Sequence, residues 1–214
     1  LKRQVDVMTL SATPIPRTLY LALMVARDMS LINTPPRDRL PIHTELCTFS
    51  RRTLVEAILR ELHRGGQVFF VHNRVQTIES VAARIAQLLP SVRVAHAHGQ
   101  MKEKELERVM LDFVEKEFDI LVSTMIVESG LDIPNVNTII VNRADTLGLA
   151  QLYQLRGRIG RGRHRAYCLL MVDSLSAITA EARQRLEALA PSLPEGVEVV
   201  ITYDRSALIQ RAVE

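Results

Sequence analysis

Two arginines, Arg158 and Arg161, stand three residues apart, each directly preceded by a glycine (Gly157 and Gly160). A guanidinium stays charged at every physiological pH and presents a planar fork of donors that matches phosphate oxygens. A pair of them therefore suits a triphosphate. Their spacing lets both project from one face of a helical turn. The glycines remove side-chain bulk beside them, so a bulky anion can come close to the backbone. The same string also describes a basic, solvated helix end, and alone it does not separate the two readings.

The arginines need a scaffold, and the surrounding periodicity supplies one. The run Leu147 to Leu155 reads as the helix that delivers them. Upstream, Ser50 can cap a helix in which Leu54, Val55, Ile58, Leu59 and Leu62 recur at helical spacing, and Gly65-Gly66 stops it. Gln67 to His72 is a short apolar strand, followed by Asn73 and Arg74. A second helix carries Ile78, Val81, Ala82, Ile85 and Leu88 on one face. Val92 to Ala95 reads as a strand, His98 to Met101 as a loop, and a third helix turns Leu106, Val109, Met110 and Phe113 inward. Further strands are expected at Phe118 to Ser123, Thr138 to Val141 and Ala166 to Val172. Strands alternating with amphipathic helices predict right-handed crossovers and a mostly parallel sheet, an α/β fold. Ligands of such sheets bind beyond the carboxyl ends of the strands. Thr124 follows one of those ends immediately, where a hydroxyl and nearby amides can hold a phosphate.

Composition narrows the class. With 47% apolar and 24% charged residues among 214, the chain can bury a full core and is not disordered. No apolar run approaches the roughly 18–20 residues that span a bilayer. The opening Leu1 to Asp6 has neither an apolar leader nor an initiator methionine, so the chain is expected to start within a longer protein. Cys47 and Cys168, far apart, read as reduced thiols of a cytoplasmic protein. His96 and His98 share a strand face but lack further ligands, so no metal site is expected. A net charge of +3 permits a polyanionic partner without demanding one. With 4% aromatic residues and no tryptophan, a single-strand stacking platform is disfavoured.

Four stretches in order carry a family resemblance. Gln154, Gly157, Arg158, Gly160 and Arg161 match the Q-x-x-G-R-x-G-R pattern of motif VI in superfamily-2 helicases and translocases. Ser11-Ala-Thr13-Pro-Ile-Pro-Arg17-Thr-Leu19 resembles motif III. Val71-His72-Asn73-Arg74 looks like motif IV, and Thr124 to Pro134 resembles motif V. The resemblance implies a RecA-like mostly parallel sheet flanked by helices. It also implies ATP with Mg²⁺ as cofactor, Arg158 and Arg161 as arginine fingers reaching the γ-phosphate, and Gly130, Asp132, Gln154 and Gly157 along the nucleotide. Thr124, Asn73 and Arg74 would meet the DNA backbone, and Ser11, Thr13 and Arg17 would couple the two sites. Finer wording, from His98-Gly99-Gln100-Met101 through Asp112-Phe113 and in Arg143-Ala144-Asp145, resembles the bacterial transcription-repair coupling family. The RecG-type fork-reversal helicases are the nearest alternative. The coupling family implies double-stranded DNA, RNA polymerase and excision-repair proteins as partners, with no membrane.

Two absences limit the expectation. None of the nine glycines is followed by lysine, so no P-loop is present, and no aspartate is followed by glutamate, so the acidic box that holds Mg²⁺ in this family is missing. The expected organisation is the tail of a first motor domain with a linker (1–40), a second RecA-like domain (41–190) and an atypical extension (191–214). The extension, read as a strand and short helix, resembles a segment of heavy-metal efflux pumps. This is half of an ATP-dependent translocase, lacking the half that binds ATP, and the isolated chain is expected to be inactive. A non-catalytic nucleic-acid-binding fragment or a chimeric chain is the rival reading.

Overall fold

The computed structural model describes residues 40–125, 133, 135–160 and 164–189. The motif III stretch, the expected linker up to residue 39 and the expected C-terminal extension lie outside the described residues. Among those described, six strands and five helices follow one another, strand and helix alternating except that β5 comes directly after β4: β1 (His43–Thr48), α1 (Arg51–His63), β2 (Gln67–His72), α2 (Val75–Leu88), β3 (Val94–Ala97), α3 (Glu103–Val114), β4 (Ile120–Ser123), β5 (Val136–Asn142), α4 (Leu149–Arg156), β6 (Tyr167–Val172) and α5 (Ala180–Glu187). A single 3₁₀ turn, Ala144–Thr146, separates β5 from α4.

The strands form one sheet in the order β1-β6-β5-β2-β4-β3, and every pairing is parallel. Parallel strands need crossovers, which the helices supply, and a sheet covered on both faces has continuously apolar central strands. Every residue of β2 and β4 is buried accordingly. Val68, Phe70, Val122 and Ile140 face one core with Leu54 and Ile58 of α1 and Ile78 and Ile85 of α2. Phe69, Val71, Leu121 and Val141 face the other with Phe113 of α3, Leu152 and Leu155 of α4 and Leu186 of α5.

Local chemistry sets the element ends. α1 begins after Ser50, whose backbone is extended but whose hydroxyl makes no capping bond, unlike the expected cap. At its other end the Gly66 amide bonds the Glu61 carbonyl at 3.1 Å. A Cβ on Gly66 would sit 1.8 Å from Glu61 Oε1, so a side chain there would have to displace the Glu61 carboxylate. The fully buried Glu61 accepts from Thr138 of β5 and from the Arg64 guanidinium, tying the helix to the sheet.

Several boundaries moved. The strand expected at Val92 to Ala95 is β3, two residues later, because the Arg93 amide and guanidinium are taken by Asp119 at 2.8 Å. The strand expected from Phe118 begins at Ile120, since Asp119 serves Arg93 and the Phe118 carbonyl accepts from Gln67 Nε2 at 2.7 Å. β5 is longer than expected at both ends. Strand β1 and helix α5 were not expected.

Candidate functional site

In an all-parallel sheet the carboxyl ends of the strands share one edge. That edge gathers three of the predicted residues. β2 runs out at His72 into an Asn73–Arg74 turn closed by the Arg74 amide on the His72 carbonyl at 2.9 Å. Both turn residues are exposed, and Arg74 occupies the extended position before α2. On the neighbouring strand Val71 is in register with Ser123, so Thr124 lies beside His72, one strand spacing of about 4.8 Å away. The Thr124 amide bonds the Ala97 carbonyl at 3.3 Å. Its side chain is largely covered, whereas Asn73 and Arg74 are exposed.

The arginine stretch sits elsewhere. α4 starts from the carboxyl end of β5 and returns the chain to the amino end of β6, so residues 156–160 reach the opposite edge. At about 3.3 Å per residue the six residues of β2 separate the two edges by about 20 Å. Helix α4 stops at Arg156, and the Arg158 amide bonds the Leu155 carbonyl at 3.1 Å in the last turn. Ile159 is fully buried as a plug beyond it. Gly160 then takes φ +74°, the left-handed region. The helix has therefore ended, and the backbone has reversed hand, before residue 161, which lies outside the described residues.

The two glycines also divide in role. Gly157 has ordinary right-handed backbone and is exposed. A Cβ on Gly160 would meet Ile42 Cγ1 at 2.9 Å and Ala166 Cβ at 3.3 Å. Its missing side chain admits Ile42 and Ala166, which contradicts the expectation that this glycine clears space for an anion. Arg158 and Gln154 are half-buried. Arg156, two residues before Arg158, has a buried Nε with no hydrogen-bond partner among the described residues, a donor suited to an acceptor-only ligand such as phosphate. Arg161, Gly130 and Asp132, with Ser11, Thr13 and Arg17, lie outside the described residues.

Electrostatics mark the carboxyl edge as well. Burial, then the charge of Arg74, lowers the His72 ring below its usual value. Its nitrogens bond Thr77 Oγ1 at 2.7 Å and Asn142 Nδ2 at 3.0 Å, contacts that the sequence reading did not find. Arg143, at φ +54°, reaches Asp173 at 3.4 Å and Asp145 at 3.8 Å on the same edge. The thiols are inert in comparison: burial pushes Cys168 up to about 12 despite the nearby Arg156, and burial followed by Glu45 pushes Cys47 up to about 11. Among the described residues no three His, Cys, Asp or Glu side chains converge to hold a metal. No helix among them is long and apolar enough to cross a membrane.

A six-stranded parallel sheet with helices on both faces and an arginine loop at its amino edge is the RecA-like C-terminal domain of superfamily-2 helicases. The chain belongs to that family: the model described as helicase conserved C-terminal domain matches residues 50–163. Within it, the chain is similar to transcription-repair-coupling factors, being 54% identical over 188 residues to that of Myxococcus xanthus and 52% identical over 190 residues to that of Escherichia coli K12. Those alignments cover 88% and 89% of this chain but only 16% and 17% of the relatives. Among solved structures, RecG bound to a three-way DNA junction is 36% identical with a TM-score of 0.71, over 86% of this chain and 25% of that one. The C-terminal domain of the DEAD-box protein Dbp5 shares the fold alone, at 16% identity and a TM-score of 0.51, over 73% of this chain and 88% of that one.

Proposed function

We propose that the chain is the second motor domain of an ATP-driven double-stranded-DNA translocase acting in transcription-coupled repair. The 54% identity to a transcription-repair-coupling factor across most of the chain carries this reading. The lower identity to RecG, 36%, ranks a fork-reversal helicase second. The relatives' name, transcription-repair-coupling factor, speaks of transcription and repair, and in this reading double-stranded DNA, RNA polymerase and excision-repair proteins are the partners of the whole protein, in the cytoplasm. The other partner is its own first motor domain, joined through residues 1–40.

The two edges divide the work. Arg158, at the amino edge, acts together with Arg161 as a finger on the γ-phosphate of ATP held by the first domain, and Gln154, Gly157, Gly130 and Asp132 line the nucleotide. A triphosphate offers only acceptors, and the arginines offer only donors. ATP and Mg²⁺ are bound mainly by that other domain, which supplies the P-loop and acidic box this chain lacks. At the carboxyl edge Thr124, Asn73 and Arg74 hold phosphates of the DNA backbone, and Ser11, Thr13 and Arg17 couple the two. A translocase must pass any sequence, so its grip belongs on phosphates and not on base edges.

Binding titrations of two unrelated duplexes and a single strand, across a salt series, test the reading. Weak duplex binding that ignores sequence is expected, with Arg74→Ala lowering the log–log salt slope by about one. A preference for one duplex, or tighter single-strand binding with a shallow slope, would defeat it.

A further inference from the structure

His72 ends β2, is 7% exposed, and stands directly before Asn73 and Arg74. Both ring nitrogens are engaged, Nδ1 at 3.0 Å from Asn142 Nδ2 at the end of β5 and Nε2 at 2.7 Å from Thr77 Oγ1 in α2. An amide nitrogen can only donate, so Nδ1 is the acceptor and the neutral ring carries its proton on Nε2. That proton goes to Thr77 Oγ1, whose own hydroxyl faces the Arg74 carbonyl at 3.5 Å. The Thr77 amide bonds the same carbonyl at 3.3 Å, and the Arg74 amide bonds His72 at 2.9 Å. The bonds close a ring around the Asn73–Arg74 turn, and Asn142 anchors that ring to β5 across 70 residues of sequence.

We propose that His72 is a positioning residue: its neutral, Nε2-protonated ring clamps the Asn73–Arg74 turn between β5 and α2, and a proton on Nδ1 releases it by setting donor against the Asn142 donor. The proposal rests on the reading of Asn73 and Arg74 as phosphate contacts. Arg74 is the charged group that acts on the ring, and it opposes a second positive charge. From β5 the Arg143 guanidinium is engaged by Asp173 and Asp145. The carboxylate of α2, Glu79, is directed to His96 at 3.7 Å, and β4 contributes only the hydroxyls of Ser123 and Thr124. Among the described residues no carboxylate of these neighbours is placed to stabilise an imidazolium, and burial and Arg74 both oppose protonation.

Long-range ¹H–¹⁵N spectra of the imidazoles in the 214-residue chain read the tautomer directly. Because the ring is held below its usual value, duplex affinity is measured in parallel at about pH 7.5 and at stepwise lower pH until the spectra show His72 protonated. The Nε2-protonated tautomer is expected at the higher pH. Affinity of the unaltered chain should fall about fivefold relative to His72→Gln on acidification, the worth of about one net hydrogen bond, since glutamine keeps a donor and an acceptor but does not titrate. Asn142→Asp gives Nδ1–H an acceptor, so it should move the His72 titration upward and abolish the fall. An Nδ1-protonated tautomer, identical pH profiles for the unaltered chain and His72→Gln, or no movement of the titration in Asn142→Asp would overturn the clamp. The two spectroscopic readouts need no DNA, whereas an Arg74→Ala variant with unchanged duplex affinity would remove the phosphate-contact reading by itself.

Discussion

Replacing Gly160 with alanine tests how the arginine loop is built. The residue sits at φ +74°, and an L-side chain in that region costs about 1–2 kcal/mol. The new Cβ would also stand 2.9 Å from Ile42 Cγ1 and 3.3 Å from Ala166 Cβ. Carbon pairs prefer about 3.5–4.0 Å, so Ile42 must withdraw by about half an ångström or more from a packed core, at about 1–3 kcal/mol. Gly160→Ala should therefore destabilise the chain by about 2–5 kcal/mol. Urea unfolding followed by far-ultraviolet circular dichroism measures it, with an unchanged m-value showing that the unfolded state is not the source. Ile42→Ala removes the close atom but leaves the backbone strain. The double variant should then be less destabilised than the sum of the singles by about 1 kcal/mol. Gly157→Ala, at φ −68° and ψ −8°, should cost less than about 1 kcal/mol. A Gly160→Ala chain as stable as the unaltered one, or strict additivity with Ile42→Ala, would refute the packing argument.

Acid should act in two stages. His72 is held below its usual value by burial and Arg74, so the unfolded chain takes that proton first. Stability is then flat above about pH 6.5 and declines below it, and His72→Gln should remove this stage. Burial raises Asp119, but the Arg93 hydrogen bonds outweigh it and hold the carboxyl low. Its contribution is therefore present above about pH 3.9 and lost as pH falls through the folded value. Thr138→Val takes one donor from the buried Glu61 carboxylate and should cost about 1–3 kcal/mol in the same unfolding assay. A thiol reagent at neutral pH should leave Cys168 unmodified until the chain unfolds, while half-buried Cys47 reacts slowly; fast labelling of Cys168 in the folded chain would contradict its burial.

The central strands and the helices that bury broad apolar faces were legible because periodicity reports burial directly. Strand β1 was not, since it lies at an edge and buries little beyond Ile42, just before it, and Thr44. Helix α5 escaped for the same reason, with Ala182 and Leu186 as its buried positions. The order of the motifs predicted which residues to examine, but not that Arg158 and Arg74 lie on opposite edges of the sheet. That fact belongs to strand direction and to the path of α4. Gly160 looked like a gap for an anion because a sequence shows a missing side chain without showing what fills the space. The bond between His72 and Asn142 joins two strands far apart in sequence, so no local pattern could announce it.

The claim that this chain supplies the fingers and not the nucleotide site is tested most directly by turnover in a two-domain motor, with the first domain restored. Arg158→Ala there should lower kcat about 10³–10⁵-fold, equivalent to about 4–7 kcal/mol of barrier, while ATP binding stays nearly intact, because a finger acts on charge that develops in the transition state. The 214-residue chain alone should hydrolyse no ATP above background. DNA-stimulated turnover by that chain, or an Arg158→Ala motor that loses ATP affinity at unchanged kcat, would contradict the account.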